Sequence, residues 1–400
     1  MNILVINAGS SSIKYKLFRM EDEFALAEGT VDRIGVNGSN LTHKPFGKAE
    51  IKIESSVPNY EIALDMVMKV LTHPEHGVIS SINDISAVGH RVVHGGEKIS
   101  SSVLITNEVE KIIRDCFDLA PLHNPPNMMG IYACKKLLPD VPQVAVFDTA
   151  FHRTIPEEAY LYAIPYRLYE EYSIRRYGFH GTSHRYVANI SAEVLGQPIE
   201  SLRIVTCHLG NGCSITAVKD GKSIDTSMGF TPLEGLIMGT RSGDIDPTIV
   251  FYLIERVGLA VQEINSMLNR ESGLLGLSGI SRDMRDILES ASKGNKRAIT
   301  TIKCFTYRIK KYIGAYAFSM GGLDAVVFTA GIGENSAQIR AMVCEGLEFL
   351  GLRIDYQRNS NRDKVISSDN SKVKVLVIPT NEELLIARDT AEITKVNSDQ

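Results

Sequence analysis

Ile3-Leu4-Val5-Ile6 runs into Asn7-Ala8-Gly9-Ser10-Ser11-Ser12, after which Ile13, Tyr15 and Leu17 alternate with Lys14, Lys16 and Phe18. The apolar run reads as a buried strand and the alternation as a second strand with one covered face. The small residues between them make a hairpin tip. The pattern restarts downstream. Ile204-Val205-Thr206-Cys207 leads into His208-Leu209-Gly210-Asn211-Gly212, and Ile215, Ala217 and Val218 continue to a turn at Asp220-Gly221. A shift of 201 residues lays Asn7 to Lys14 over this second unit, with Gly9 on Gly210, and predicts an internally duplicated chain.

Working outward, short apolar runs ending in Gly, Asn, Asp or Ser alternate with stretches of helical period, which is the pattern of an α/β protein. Ile62, Ala63, Met66, Val67, Val70 and Leu71 recur at helical spacing, as a helix laid on a sheet requires. Ala87-Val88 precedes Gly89-His90-Arg91, and Val144 to Phe147 ends on Asp148. A carboxylate directly after a buried strand sits at the carboxyl edge of a sheet, where α/β proteins bind ligands. Ile302, Phe305, Ile309, Ile313, Tyr316 and Met320 predict a long helix. The strand Ala325 to Phe328, a tip at Gly331 to Asn335, a last strand Val375 to Ile378 and a helix starting near Thr380 follow. The polar stretch Asn359 to Lys372 reads as a solvated loop. A division into two lobes is expected just after Asp148, with the active-site cleft between them.

The 400 residues are 44% hydrophobic and 22% charged, with 32 glycines and 14 prolines. Such a chain buries large cores and is neither disordered, collagen-like nor coiled coil. Forty-three Lys and Arg against 47 Asp and Glu leave a formal charge of -4. No strongly basic surface for nucleic acid or an anionic membrane is expected, and the ligand should be small. The six cysteines are scattered without a C-x-x-C pair, as free thiols in a reducing compartment would be. Four apolar residues after Met1-Asn2 are too few for a signal peptide. Ile313 to Ile332, broken by Gly321-Gly322 and Asp324, reads as helix end, turn and strand rather than as a membrane span. A cytoplasmic, soluble protein is expected.

Asn7 to Ser12, His208 to Gly212 and Gly331 to Asn335 share one property: small residues after a strand let backbone N–H groups approach an anion without Cβ obstruction. Each alone is also an ordinary turn. Gly221-Lys222-Ser223 lacks the first glycine of a P-loop, since Thr216 stands there, and Ser336 replaces the third glycine of a dinucleotide fingerprint. Gly181 to Arg185 lacks the closing glycine of a nucleophile elbow. His90/His94 and His180/His184 have the spacing of zinc ligands on a helix, but Gly89, Gly95 and Gly181 argue against helix at both places. Arg91 and Arg241, flanked by glycine-containing segments, are suited either to fork a carboxylate or phosphate or to make surface salt bridges. His180 is either a capped loop histidine or a donor to a transferring group. Thr380 as N-cap with Glu383 would close a capping box, leaving Glu382 free for a metal. Asp283 and Arg285 read as a charged helix start or as nucleotide contacts.

Asn7 to Lys14, Gly89-His-Arg-Val-Val-His-Gly-Gly96, Ala120-Pro-Leu-His-Asn-Pro-Pro-Asn127, Val146 to Thr149, Tyr177 to His184, His208 to Gly212, Thr226 to Asp246 and Gly331 to Asn335 together resemble the acetate kinase (acetokinase) family. The likeness runs almost end to end. It implies the two-lobed actin-like ATPase (ribonuclease H-like) fold, with residues 1–150 as one lobe, rejoined by a C-terminal helix 384–400, and 151–383 as the nucleotide-binding lobe. It also implies reversible transfer of the γ-phosphoryl group of ATP to acetate, with Mg2+ or Mn2+, by a cytoplasmic homodimer. By the same resemblance Asn7 and Glu382 hold the metal, while Lys14 and His208, Leu209, Gly210, Asn211 and Gly212 meet phosphates. Asp283, Met284 and Arg285 with Gly331, Ile332, Gly333, Glu334 and Asn335 hold the nucleotide. Arg91 binds acetate, Asp148 is an essential carboxylate, and His180 and Arg241 stabilise the transition state. Val93, Leu122, Phe179 and Pro232 line the methyl pocket. A propionate or butyrate kinase shares these motifs, although Pro125-Pro126 and Ile245-Asp246-Pro247 look more like the acetate members. A non-metabolic actin-like ATPase would share only the phosphate tips.

Overall fold

The hairpin read at the N-terminus forms the centre of a larger sheet. In the computed structural model, which describes residues 1–398, Met1–Arg153 and the segment from Asn381 form one compact unit and Thr154–Thr380 a second. Asn381, Glu382 and Glu383 thus belong to the first unit. The last two residues of the expected 384–400 helix lie outside the described residues.

The first unit carries β1 (Asn2–Ala8), β2 (Ser12–Arg19), β3 (Phe24–Asp32), β4 (Asn40–Pro45), β5 (Ile51–Glu54), β6 (Ile85–Val92), β7 (Val103–Leu104) and β8 (Gln143–Phe147). They form one eight-stranded sheet in the order β5-β4-β3-β2-β1-β6-β8-β7. β1 to β5 run as an antiparallel meander, β6 and β8 lie parallel to β1, and β7 closes the edge antiparallel. Ile3 to Ile6 are at most 1% exposed, because helices cover both sheet faces. The Tyr60–Leu71 helix joins Leu4, Ile6 and Val88 in one cluster. On the opposite face the C-terminal helix Glu382–Ser398 lies over Gly89, where a Cβ would come within 2.5 Å of the Thr390 hydroxyl and 2.7 Å of Ile386 Cγ2. A glycine is the residue that admits that approach.

The second unit carries β9 (Arg203–Leu209), β10 (Cys213–Lys219), β11 (Lys222–Thr226), β12 (Ala325–Thr329) and β13 (Lys374–Val377), in the order β11-β10-β9-β12-β13. The duplication is visible in this topology. In each unit the first strand of an antiparallel meander pairs parallel with a later strand, which in turn pairs parallel with one more. Parallel neighbours place their carboxyl ends along one edge, which is where α/β sheets bind ligands.

Four local expectations are overturned. Asn359 to Lys372 is not merely solvated. A helix spans Tyr356–Asn361, and Asn359 is 2% exposed, accepting hydrogen bonds from the buried Arg340 guanidinium at 2.7 Å through both its side chain and its carbonyl. Gly331 to Asn335 lies in a short helix, Ala330–Asn335, entered through Ala330 at φ 63°. Gly181 opens the Gly181–Leu195 helix rather than preventing one. Glycine costs little at a helix end, where the first N–H groups have no intrahelical partner. The C-terminal helix is capped by Asn381, whose side-chain oxygen accepts from the Leu384 N–H at 3.1 Å. Thr380 instead donates its N–H to Glu334 at 3.3 Å. No helix among the described residues is long and apolar enough to cross a membrane.

Candidate active site

Three parallel strands assemble the polar group of the first unit. Asn7 lies near the end of β1, Arg91 near the end of β6, and Asp148 directly after β8. Arg91 lies opposite Val146, and Ile6 opposite His90. Arg91 reaches Asp148 with two nearly parallel bonds, Nε to Oδ1 at 3.0 Å and Nη2 to Oδ2 at 2.5 Å, while its Nη1 donates to Asn7 Oδ1 at 3.3 Å. The Asp148 side chain is 2% exposed. Burial works against the guanidinium charge, but Asp148 and then Glu382 outweigh it and hold Arg91 charged.

Glu382, at the first turn of the C-terminal helix, has its carboxyl pushed up to about 7. Burial is the main cause, with Asp148 and Glu383 adding and Arg91 and Lys14 opposing. Such a surplus of anionic oxygen, next to the neutral oxygen of Asn7, suits a hard divalent cation. Among the described residues no three His, Cys, Asp or Glu side chains converge into a metal cage. Lys14 faces Asn7 across the hairpin, and with Glu383 they line a cavity of 210 Å³.

The glycine-rich turn after β6 is held from the Asn124–Leu137 helix. Asn127 accepts the Val93 N–H at 3.1 Å and donates to the Ala8 carbonyl at 2.7 Å; Asn124 accepts the His94 N–H at 3.0 Å and donates to its carbonyl at 2.9 Å. Sequence reasoning gave these buried asparagines no role, although two of them at i and i+3 beside a Pro-Pro helix start are the signal for such a clamp. Val93 is 4% exposed and Leu122 is 62% exposed.

In the second unit two side chains converge on Gly212. A Cβ there would stand 3.3 Å from Arg241 Nη2 and 3.3 Å from His180 Cε1. His180 takes a left-handed conformation, φ 57°, at the N-cap of its helix, a costly backbone for a non-glycine residue and one that marks functional positions. Its ring stacks on His208 with centroids 4.2 Å apart. Its Nδ1 lies 2.9 Å from Ser214 Oγ, which also lies 2.7 Å from His184 Nε2. Sequence reasoning missed Ser214 because its partners are thirty residues or more away in the chain. Arg241 is mostly buried, and its Nη1 donates to the Pro232 carbonyl at 2.6 Å; burial pulls its pKa down. Phe179 is 3% exposed.

The remaining sequence candidates divide. Thr329 pairs with His208 across β12 and β9, so Gly331 to Asn335 and His208 to Gly212 lie at one sheet edge. A Cβ on Gly210 would sit 3.6 Å from Ala330 Cβ. Asn211 is tied back by its carbonyl to the Gly239 N–H at 2.9 Å, and Leu209 is buried. Arg340 donates to the carbonyls of Gly333 and Glu334 at 2.8 Å, fixing that short helix. Asp283 caps the Met284–Ser292 helix through the Arg285 N–H and pairs with the Arg285 guanidinium at 2.6 Å, and Met284 is buried. These three form a helix start of their own.

Residues 2–388 match the model of the Acetokinase family. The acetate kinase of Caldanaerobacter subterraneus subsp. tengcongensis is 58% identical over 398 residues, 99% of each chain. Among solved structures, an acetate kinase from Porphyromonas gingivalis superposes with a TM-score of 0.95 at 48% identity, covering 98% of this chain and 99% of that one. A propionate kinase from Francisella tularensis does so with a TM-score of 0.91 at 46% identity and the same coverage. The mixed α/β fold with two sheets is that of the actin-like ATPases. Matched along nearly all of its length in sequence and in fold, the chain belongs to the acetokinase family of carboxyl-group phosphotransferases.

Proposed function

We propose that this enzyme transfers the γ-phosphoryl group of ATP to acetate, reversibly and in one step. A carboxylate oxygen of acetate forms a bond to Pγ as the bond from Pγ to the bridging oxygen of ADP breaks, giving acetyl phosphate and ADP. Acetate is already an anion at neutral pH, so no base has to activate it. The obstacle is repulsion between an anion and a triphosphate, and positioned positive charge is what removes it.

The observation that carries this reading is Arg241: a mostly buried guanidinium held by a carbonyl, so that its charge is left for a ligand. Beside Gly212 it and His180 are suited to the equatorial oxygens of the phosphoryl group in transit. Arg91 has the complementary role. Asp148 orients it and leaves Nη1, now on the neutral Asn7 oxygen, to meet the acetate carboxylate. Val93 and Leu122 of the first unit, and Phe179 and Pro232 of the second, are the residues we assign to the methyl group of acetate. Lys14 and His208 to Gly212 meet phosphates, and Asp283 to Arg285 with Gly331 to Asn335 bind the nucleotide. Asn7 and Glu382 hold Mg2+, for which Mn2+ can substitute; the bound cation supplies charge neutralisation on phosphate oxygens. The enzyme works as a cytoplasmic homodimer that engages neither nucleic acid nor membrane.

Hydroxylamine traps an acyl phosphate as its hydroxamate. Purified protein with ATP, Mg2+ and acetate should accumulate acetohydroxamate, and its absence at saturating substrate would refute the reading. Inversion of configuration at a chiral γ-phosphate is the outcome for direct transfer; retention would require a phosphoenzyme.

A further inference from the structure

Residues 227 to 246, which carry Pro232 and Arg241, contain neither helix nor strand. Phe179 and His180 arrive on another irregular stretch, from Ser173 to His180. A loop that long in a folded domain is functional far more often than not, and its geometry has to come from side-chain cross-links. One residue gathers the start of this loop. Arg176 Nη1 donates to the carbonyls of Thr226 at 2.8 Å, Met228 at 3.3 Å and Ser227 at 3.4 Å, and its Nη2 donates to Glu234 at 2.7 Å. Tyr162 completes the knot: its hydroxyl donates to the other Glu234 oxygen and accepts the Phe230 N–H at 2.9 Å. The packing leaves no slack, since a Cβ on Gly229 would overlap both Glu234 and Tyr162. The Tyr177 and Gly178 N–H groups donate to the Gly229 carbonyl at 3.1 and 3.2 Å, joining the two stretches directly.

We infer that Arg176, locked by Glu234 and Tyr162, is a positioning residue for phosphoryl transfer: it sets the distance between the arm that ends in Phe179 and His180 and the arm that presents Pro232 and Arg241. A mostly buried guanidinium engaged by Glu234 at 2.7 Å, by Asp225 at 3.8 Å and by three carbonyls has a fixed fork geometry that a lysine cannot reproduce. Because Arg241 hangs from the Pro232 carbonyl, any shift of the Thr226 to Glu234 stretch moves the pocket wall and the transition-state donor together. The inference rests on the proposed acetate kinase reaction.

The test is steady-state kinetics of Arg176→Lys and Tyr162→Phe in the hydroxamate assay, with thermal melts and with propionate as second acceptor. In Arg176→Lys, kcat should fall and KM for acetate rise by on the order of tenfold each, because sub-ångström misplacement is that costly. KM for ATP should stay within about twofold, and the preference for acetate over propionate should narrow. Tyr162→Phe, which removes one hydroxyl, should shift the same constants in the same direction by less. A parent enzyme that makes acetohydroxamate, with variants whose KM for acetate and acceptor preference match it, would overturn the inference while leaving the reaction standing. A loss of kcat alone, in proportion to loss of folded protein, would do the same. If Arg176→Lys does not fold, Tyr162→Phe decides alone. A parent enzyme that makes no hydroxamate sinks both readings.

Discussion

Arg91 and Arg241 carry the same charge in opposite surroundings, and the difference predicts different losses. Arg91 is fastened to Asp148 through two bonds, so truncating it removes the proposed acetate contact and the partner of a buried carboxylate. Arg91→Ala should therefore raise KM for acetate and lower kcat together, with kcat/KM down by ~10²-fold or more, the size of one lost transition-state donor; unchanged steady-state constants would take Arg91 out of the site. Val93 contributes shape rather than charge. Val93→Ala should favour propionate by no more than about 1 to 3 kcal/mol, since one methylene is at stake, and a fixed ratio of the two kcat/KM values would contradict its place in the pocket.

At the scale of the element, β11 ends beside the Arg176 knot, and Asp225 on that strand has its carboxyl raised to about 6. Burial is the main cause, with Arg176 and the Thr226 N–H pulling the other way. An unfolded aspartate titrates near ~3.9, so between those two values the folded chain holds the extra proton. Stability from this group is present below about pH 4 and is lost as pH rises through about 6. Asp225→Asn should remove that slope and raise Tm at neutral pH, by on the order of 1 kcal/mol in stability, with little difference from the parent near pH 4. Equal gains at both pH values would mean that Asp225 is not the titrating group. The three small-residue tips differ at this scale as well. Two are the turns of antiparallel hairpins, while the third is a short helix. Glycine-rich spacing alone does not distinguish a turn from the first turn of a helix.

At the scale of the molecule, the C-terminal helix closes the first unit. Its first turn brings in Glu382, and its body packs on β6 at Gly89, two residues before Arg91. Gly89→Ala should push that helix off the strand, costing about 1 to 3 kcal/mol as overpacking does, with a lower Tm and a weakened Mg2+ dependence of the reaction. A variant with the parent's melting curve and metal requirement would show that the helix is not held there. The residue just before a catalytic strand end is thus coupled to the far end of the chain, about three hundred positions later.

Periodicity and composition by themselves determined the α/β class, the duplicated hairpins, the position of Asp148 after a buried strand, and the reading of Ile313 to Ile332 as helix, turn and strand. These are patterns of burial, which local sequence encodes because a strand or helix must hide one face whatever it packs against. The quoted motifs brought the family into view from resemblance. Only the tertiary structure decided that Arg91 forks Asp148, that Arg241 is held by a carbonyl, that Asn381 rather than Thr380 caps the last helix, and that Asn359 is buried under Arg340. Each of these depends on the partner available for a polar group once water is excluded. For Arg91, paired with Asp148, and for Thr380, whose N–H goes to Glu334, that partner comes from a distant stretch of chain, which no local pattern records.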